Sequence, residues 1–212
     1  MKAFKLIAAL GLGVIVSACA APQTVSRNAT ATASLDMAGQ RAAAPLQVRK
    51  INVSVPRSLE VSEANRYYPS GDIVWREDPI GDRHAQVKTI FEDALAAGTA
   101  DLKGRPVVLD VEVTRFHALT EKTRYSVGGI HSIKFLLTVR DARSGAVLAP
   151  TREIEADLRG YGGKRAIAAE QRGETQKVRI SAHLGNVIRA QLQQTAAAMV
   201  AGATSGSAPA KI

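Results

Sequence analysis

The chain has 212 residues, of which 46% are hydrophobic and 22% are charged, and its formal net charge at pH 7 is +9. About 150 residues lie between its polar end segments, which is the usual size of one domain with a buried core. The single cysteine excludes an intramolecular disulfide, so packing must stabilise the fold.

The chain opens with the pattern of a secretory signal. Lys2 and Lys5 precede an apolar run over residues 6–21 that is interrupted only by Ser17 and Cys19. This run is shorter than the roughly 20 residues that a helix needs to cross a bilayer, and no second apolar stretch of that length follows. We therefore expect an exported protein without a permanent membrane-spanning helix.

A short motif ends the apolar run: Val16, Ser17, Ala18 and Cys19. This quartet resembles the lipobox of bacterial lipoproteins. The resemblance implies cleavage of a signal peptide over residues 1–18 and acylation of Cys19, so that the membrane is a partner through N-terminal acyl chains such as palmitate. Ala20 in place of Asp implies the periplasmic side of the outer membrane. The alternative is that Cys19 is an incidental residue of an ordinary signal peptide.

The segments on either side of the domain are polar and rich in small residues. Residues 19–45 are rich in Ala, Thr and Ser without a sustained apolar period, which predicts a flexible tether. Residues 46–200 are predicted to form a single domain, and residues 201–212 a disordered tail.

Alternation of apolar and polar residues predicts four strands, over residues 51–55, 107–113, 133–140 and 153–158. A shorter strand is expected over residues 72–76. Between the last two long strands, Gly145 in DARSGAV can adopt the positive φ that a short hairpin needs. Because alternate positions of the strands are polar, we expect one face of the sheet to be exposed to solvent, which favours antiparallel pairing.

Two helices are predicted to cover the other face. The first is expected to begin at Asp78 and Pro79, a helix cap and a first-turn residue, and the second to span residues 176–200. Six residues of the first helix fall on one apolar stripe: Ile80, Val87, Ile90, Phe91, Ala94 and Leu95. The predicted fold is an α+β two-layer sandwich, with a mainly antiparallel sheet of about four to five strands and two helices on one face.

The body of the chain resembles a domain of unknown function found in alphaproteobacterial lipoproteins. The resemblance rests on GDIVWREDPIGDRHAQVKTIFEDAL, FHALTEKTRYSVGGIHSIKF and the SGAVL hairpin, and it covers roughly residues 51–199. It implies no activity. At the level of the fold alone, the order of elements is also similar to small accessory lipoproteins that help to assemble or transport envelope components.

Basic residues concentrate in two predicted loops. EKTRYSVGG contains Lys122 and Arg124, and GYGGKRAIAAEQRG contains Lys164, Arg165 and Arg172. Removal of Lys2 and Lys5 with the signal leaves a charge of +7, which attracts anionic surfaces. These loops are a candidate patch for anionic lipid, an acidic polymer or an acidic protein, and the alternative is a solvated surface without a ligand. Nucleic acid is not an expected partner, because the signal exports the chain.

Aromatic residues gather in NRYYPSGDIVW, between a predicted strand and a predicted helix. Tyr67, Tyr68 and Trp75, beside Arg66 and Arg76, have the composition of a protein contact surface. The alternative is that the rings hold this segment on the core.

The sequence gives little support for an enzyme. Asp110 with Glu112, and Glu153 with Glu155, could serve as acid and base in a cell-wall or glycan hydrolase, although period-two spacing favours a solvated strand face. The four histidines lack the spacing of a metal site, and GYGGK lacks the full pattern of a phosphate-binding loop. We therefore expect a non-enzymatic, lipid-anchored envelope domain, without a metal or cofactor, that binds a partner protein or an anionic envelope component; the oligomeric state cannot be read from the sequence.

Overall fold

The computed structural model describes residues 45–205. The predicted signal peptide, the lipobox with Cys19, almost all of the tether, and tail residues 206–212 lie outside these residues. The described part forms six strands and four helices in this order: β1 (Leu46–Ser54), β2 (Ile73–Val74), α1 (Arg83–Thr99), β3 (Arg105–His117), α2 (Glu121–Arg124), β4 (Gly129–Asp141), β5 (Val147–Glu155), β6 (Leu158–Gly160), α3 (Gly163–Gln171) and α4 (Gln176–Ser205).

The strands form one sheet in the order β1, β3, β4, β5. β4 is antiparallel to both β3 and β5, and the predicted hairpin between β4 and β5 is confirmed, with Gly145 at φ 72°. β2 pairs with β3 beyond the end of β1, and β6 pairs with β4 beyond the end of β5. The predicted α+β sandwich is therefore confirmed.

The direction of β1 differs from the prediction. β1 and β2 both run parallel to β3. The chain leaves β1, crosses the helical layer through α1 and re-enters the sheet at β3 from the same end, and such a crossover produces a parallel pair. A polar outer face therefore does not exclude a parallel pair at the edge of this sheet.

The core lies between the sheet and the two long helices, α1 and α4. The predicted inward positions of β3 and β4 are buried, and they face buried residues of both helices. Four aromatic rings meet edge to face across this layer, in the sequence Trp75, Phe116, Phe91 and Phe135. Such contacts add to the free energy gained by burying the rings.

Helix α1 begins later than predicted. Asp82 is its N-cap, and the carboxylate of Asp82 accepts a hydrogen bond from the amide of Ala85 at 3.1 Å. The predicted start at Asp78 and Pro79 is wrong, because the side chain of Arg83 donates hydrogen bonds to both carbonyls and holds them outside the helix. Ile80 is consequently exposed, whereas the other five predicted stripe residues are buried.

Further boundaries also differ from the predictions. The strand predicted over 153–158 is interrupted, because the carboxylate of Asp157 accepts the hydrogen bond of the Ile133 amide at 2.9 Å and ends β5. Residues 163–171, predicted as a loop, form α3. Residues 201–205, predicted as part of the tail, continue α4. No helix within residues 45–205 is both long and apolar enough to cross a membrane.

Candidate functional site

The aromatic segment divides into a buried part and an exposed part. Trp75 is fully buried, lies against Phe116, and donates from Nε1 to the Asp78 carboxylate at 2.8 Å. The interpretation of Trp75 as a contact residue is therefore wrong, because its ring is buried in the core and its Nε1 already has a hydrogen-bond partner inside the domain. Tyr67 and Tyr68 are exposed, and Tyr68 has 94% of its surface accessible.

The two arginines of this segment also differ. Arg76 forms an ion pair with Glu121 at 2.6 Å and a second one with Glu63, so its charge is already compensated. Arg66 is exposed, and its carbonyl accepts a hydrogen bond from the Thr120 hydroxyl at 2.7 Å. This bond holds the segment against α2.

Arg124 does not belong to a basic patch. Its side chain is only 12% exposed, and its guanidinium lies 3.0 Å from the carboxylate of Glu77. A second carboxylate, that of Glu170, lies 3.2 Å from Arg124 Nε, close enough for an ion pair although not aligned as a hydrogen bond. The Tyr125 hydroxyl donates to the same Glu170 carboxylate at 3.1 Å. The predicted patch residue therefore belongs to an internal network that joins α2 to α3.

The remaining predicted patch residues are exposed. Arg172 pairs with Glu174 at 3.1 Å, which compensates its charge. Lys122 places its Nζ 4.8 Å from the centre of the Tyr67 ring. Within residues 45–205, neither Lys164 nor Arg165 has a carboxylate at ion-pair distance.

The structure brings a further arginine to Arg165. The guanidinium carbons of Arg165 and Arg179 lie 4.1 and 3.6 Å from the centre of the Tyr161 ring. We call Tyr161, Arg165 and Arg179 the Tyr161 cluster. Arg179 also donates to the carbonyl of Arg159 at 2.8 Å, so its head group is held in place.

The cluster carries uncompensated positive charge. No carboxylate of the described chain lies within ion-pair distance of Arg165 or Arg179. Glu174 is near enough to Arg179 to feel its charge, but it forms its ion pair with Arg172. Both guanidinium groups share the Tyr161 ring, and the negative charge density of the ring offsets only part of their positive charge.

Tightly packed glycines place the cluster beside the turn that precedes β4. A Cβ at Gly162 would lie 2.3 Å from the amide nitrogen of Gly128 and 2.5 Å from the carbonyl carbon of Val127. Only glycine allows the two backbones to approach so closely. The N-terminal turn of α3 has no side-chain cap, so its free amides add partial positive charge at the same place.

His131 lies beneath the cluster and is buried. Its Nδ1 accepts a hydrogen bond from the Leu119 amide at 3.3 Å. Burial, reinforced by the charges of Arg179 and Arg124 and by His183, lowers the pKa of His131 to about 3. His131 is therefore a neutral structural residue at pH 7. The cavity that it lines has a volume of about 10 Å³, which is room for one water molecule, so the cluster can bind ligands only at the surface.

The sheet carboxylates are arranged as a solvated ladder. Asp110 accepts hydrogen bonds from Asn52 and Arg140, both at 2.7 Å, and Glu155 pairs with Lys134. These contacts lower the pKa of Asp110 and of Glu155, whereas the general acid of a glycosidase needs a raised pKa. The geometry thus gives no support to a hydrolase. Among residues 45–205, no three His, Cys, Asp or Glu side chains cluster as they would around a metal ion.

The described residues thus define a two-layer α+β sandwich with a basic cluster at one end of its sheet. The chain belongs to DUF6778, a family of unknown function, whose model matches residues 46–206. The prediction that its body is a domain family of unknown function is confirmed, while the lipobox and the bacterial source stay predictions. None of the curated proteins matches the chain.

Several solved structures are distantly similar. A protein of the DUF330 family from Xanthomonas campestris has 12% identity, covers 79% of this chain and 93% of its own, and has a TM-score of 0.40. A minor lipoprotein from Acinetobacter baumannii has 17% identity, coverages of 69% and 93%, and a TM-score of 0.32. A candidate lipoprotein from Caulobacter crescentus CB15 has 19% identity, coverages of 52% and 83%, and a TM-score of 0.32. Similarity at this level supports no argument about function.

Proposed function

We propose that this protein is a lipid-anchored, non-enzymatic domain of the cell envelope that binds an anionic envelope component through the Tyr161 cluster. The observation that carries the proposal is the pair of guanidinium groups over one tyrosine ring, without a carboxylate partner in the described chain. Exposed Lys164 adds a further cation beside them.

The chemistry of the cluster favours a phosphate or carboxylate ligand. A guanidinium group presents planar donors that match two oxygens of such an anion at once. An anion that contacts Arg165 or Arg179 would compensate charge that has no carboxylate partner in the described chain, and the ring of Tyr161 holds both head groups in place before binding. Because the cavity below holds only one water molecule, we expect the ligand to be the exposed charged part of a larger molecule.

The location in the envelope rests on the sequence. Lys2, Lys5, the apolar run and the quartet ending at Cys19 support export and acylation, and Ala20 supports the outer membrane. In that compartment the anionic molecules within reach are membrane lipids, acidic polymers and acidic proteins.

The proposal predicts binding of a simple polyanion that depends on the cluster. We expect the mature chain from residue 19, carrying Cys19→Ser, to bind inorganic polyphosphate in calorimetric titrations, and to bind it more weakly as NaCl is raised from 50 to 300 mM (concentrations chosen on the scale of the Debye length, roughly 14 to 6 Å). The double substitution Arg165→Gln and Arg179→Gln should weaken binding about tenfold or more, because each charge-assisted contact contributes about 1.5–3 kcal/mol before screening.

A matched control removes two charges at the opposite end of the sheet. Lys103 and Arg143 are exposed there, close to the start of β3 and in the β4–β5 hairpin. We expect Lys103→Gln with Arg143→Gln to retain nearly all of the affinity. Equal losses in the two double variants would show that polyphosphate responds to net charge alone, and the proposed site would then be wrong.

A further inference from the structure

Three segments meet at the end of the sheet where β3 ends and β4 begins. Residues 65–68 are held against α2 by hydrogen bonds from the Lys122 amide to Asn65 at 2.9 Å and from Thr120 to Arg66. The turn over residues 125–128 packs on Gly162, and β6 pairs with the first residues of β4. We call this surface, which includes the Tyr161 cluster, the apical end.

The apical end exposes several apolar side chains. Val127 has 75% of its surface accessible and Ile130 has 58%, and both lie within a few residues of the Gly128 turn. Tyr67 and Tyr68 are exposed on the adjoining segment. Single exposed apolar residues are common, but here four of them lie at one end of the domain.

Cations lie next to two of these apolar residues. Ile130 is the cross-strand partner of Arg159, and Lys122 lies over the ring of Tyr67. Three acidic residues near this end form ion pairs with other arginines: Glu121 with Arg76, Glu170 with Arg124, and Glu174 with Arg172. The apical end therefore combines exposed apolar tips with uncompensated positive charge.

We propose that the apical end binds the surface of a bilayer that contains anionic phospholipid. This inference rests on the proposed function, because the phosphates would contact the Tyr161 cluster and its neighbouring cations. Val127 and Ile130 would enter the headgroup region, where tyrosine rings are also favourable. Lys164 and Arg159 would meet the negative surface potential of the lipid.

The spacing of these residues favours a lipid surface over a protein. The centre of a protein interface is depleted of charged residues and needs a matching pocket for each apolar side chain. Here cations lie beside the exposed side chains of Tyr67 and Ile130, and a fluid bilayer accepts such a mixed surface without a matching shape. Charge complementarity points in the same direction, since the ligand must be anionic.

The apical end is far from the place where the chain enters the domain. Leu46 pairs with Arg105 at the other end of β3, and the 13 residues of β3 span roughly 40 Å at about 3.3 Å per residue. Lipid contact at the apical end would therefore be an attachment separate from the predicted acyl anchor.

Vesicle binding by the full mature chain with Cys19→Ser tests this inference. We expect co-sedimentation with vesicles of phosphatidylcholine containing phosphatidylglycerol, and little with phosphatidylcholine alone. The double substitution Val127→Ser and Ile130→Ser should lower the vesicle partition coefficient several-fold while leaving polyphosphate binding unchanged. Val147→Ser, the same change at an exposed valine of the opposite end, is the control and should bind vesicles like the parent chain.

The possible outcomes separate the two proposals. Unchanged vesicle binding in the Val127→Ser, Ile130→Ser chain, or polyphosphate binding without any vesicle binding, would overturn the lipid surface and leave the proposed function standing. If the parent chain binds neither polyphosphate nor vesicles, both proposals are wrong. If vesicles fail to bind and a photo-crosslinker at position 127 captures one envelope protein in cells, the occupant is a protein and the lipid surface is wrong. Val127, Ile130 and Val147 are exposed, and unchanged thermal unfolding would confirm that each variant is folded.

Discussion

His131 illustrates how a single buried residue makes the stability of this domain depend on pH. The folded-state pKa of His131, about 3, lies below its usual value of 6.5, because burial and the nearby charges of Arg124 and Arg179 disfavour the imidazolium. The unfolded chain therefore binds the proton more tightly. The stabilisation is fully present above pH 6.5 and is lost as the pH falls toward 3.

We predict a fall of about 2 kcal/mol in the free energy of unfolding between pH 7 and pH 5, at up to about 1.4 kcal/mol per pH unit. Urea unfolding at several pH values measures this slope. Paired carboxylates such as Asp110 lose their contribution mainly below this range, because their pKa values are lowered from 3.8.

His131→Gln is the control for the pH dependence. A glutamine can still accept the hydrogen bond of the Leu119 amide but does not titrate, so the slope between pH 7 and pH 5 should largely disappear, whatever the absolute stability of the variant. Equal slopes in the two proteins, or an NMR titration of the His131 ring above pH 5, would contradict the buried neutral state.

The burial of His131 was readable from the sequence, because His131 is in phase with the inward residues Ile133, Phe135 and Leu137 of β4. The burial of Trp75 was not. Three aromatic residues within a few positions predict either a contact surface or a core anchor, and only the position of Phe116 on another strand decides that Trp75 is internal while Tyr68 is exposed.

At the scale of the elements, the two long helices are in contact at a pair of glycines. A Cβ at Gly98 of α1 would lie 2.5 Å from the Cα of Gly185 of α4. The atoms on both sides of this contact belong to the backbone, so no side chain can rotate away to relieve it. Gly98→Ala must therefore separate the helices and disturb the core below them.

We predict that Gly98→Ala destabilises the domain by about 1–3 kcal/mol, since overpacking outweighs the gain of up to about 1 kcal/mol in helix propensity. Gly202→Ala in α4 is the matched control, because a Cβ at Gly202 meets nothing within 4 Å. This variant should be as stable as the parent or slightly more stable. Urea unfolding midpoints measure both effects, and equal stability of the two variants would disprove the close contact.

The elements that the sequence predicts well are those with a strong apolar period. β3, β4 and the centre of α1 bury the residues that the pattern places inside. Helix α3 escaped prediction because it is short, begins at two glycines and buries only Ala166 and Ala169. The parallel direction of β1 was not predicted for another reason. The crossover through α1 determines this direction, whereas the alternation of apolar and polar residues within β1 is the same in parallel and antiparallel pairs.

At the scale of the whole molecule, the position of the positive charge depends on contacts between distant parts of the chain. Arg124 and Arg165 look alike in the sequence. Glu77 neutralises Arg124 from the segment before α1, whereas Arg165 shares the ring of Tyr161 with a second cation, Arg179. The net charge predicts an anionic partner, and only the tertiary structure shows which cations, Arg165 and Arg179 among them, have no carboxylate partner within residues 45–205.

Two attachments to the membrane follow from these proposals, and salt separates them. The acyl chains predicted on Cys19 act through the hydrophobic effect, at about 0.8 kcal/mol per buried methylene, whereas cations at the apical end are screened by salt. We predict that the native protein stays with the membrane fraction in 1 M NaCl (a Debye length of about 3 Å). The Cys19→Ser chain should be released by the same wash, and fractionation followed by immunoblotting measures both. Full retention of Cys19→Ser in high salt, or a native protein that never incorporates labelled palmitate, would refute the acyl anchor.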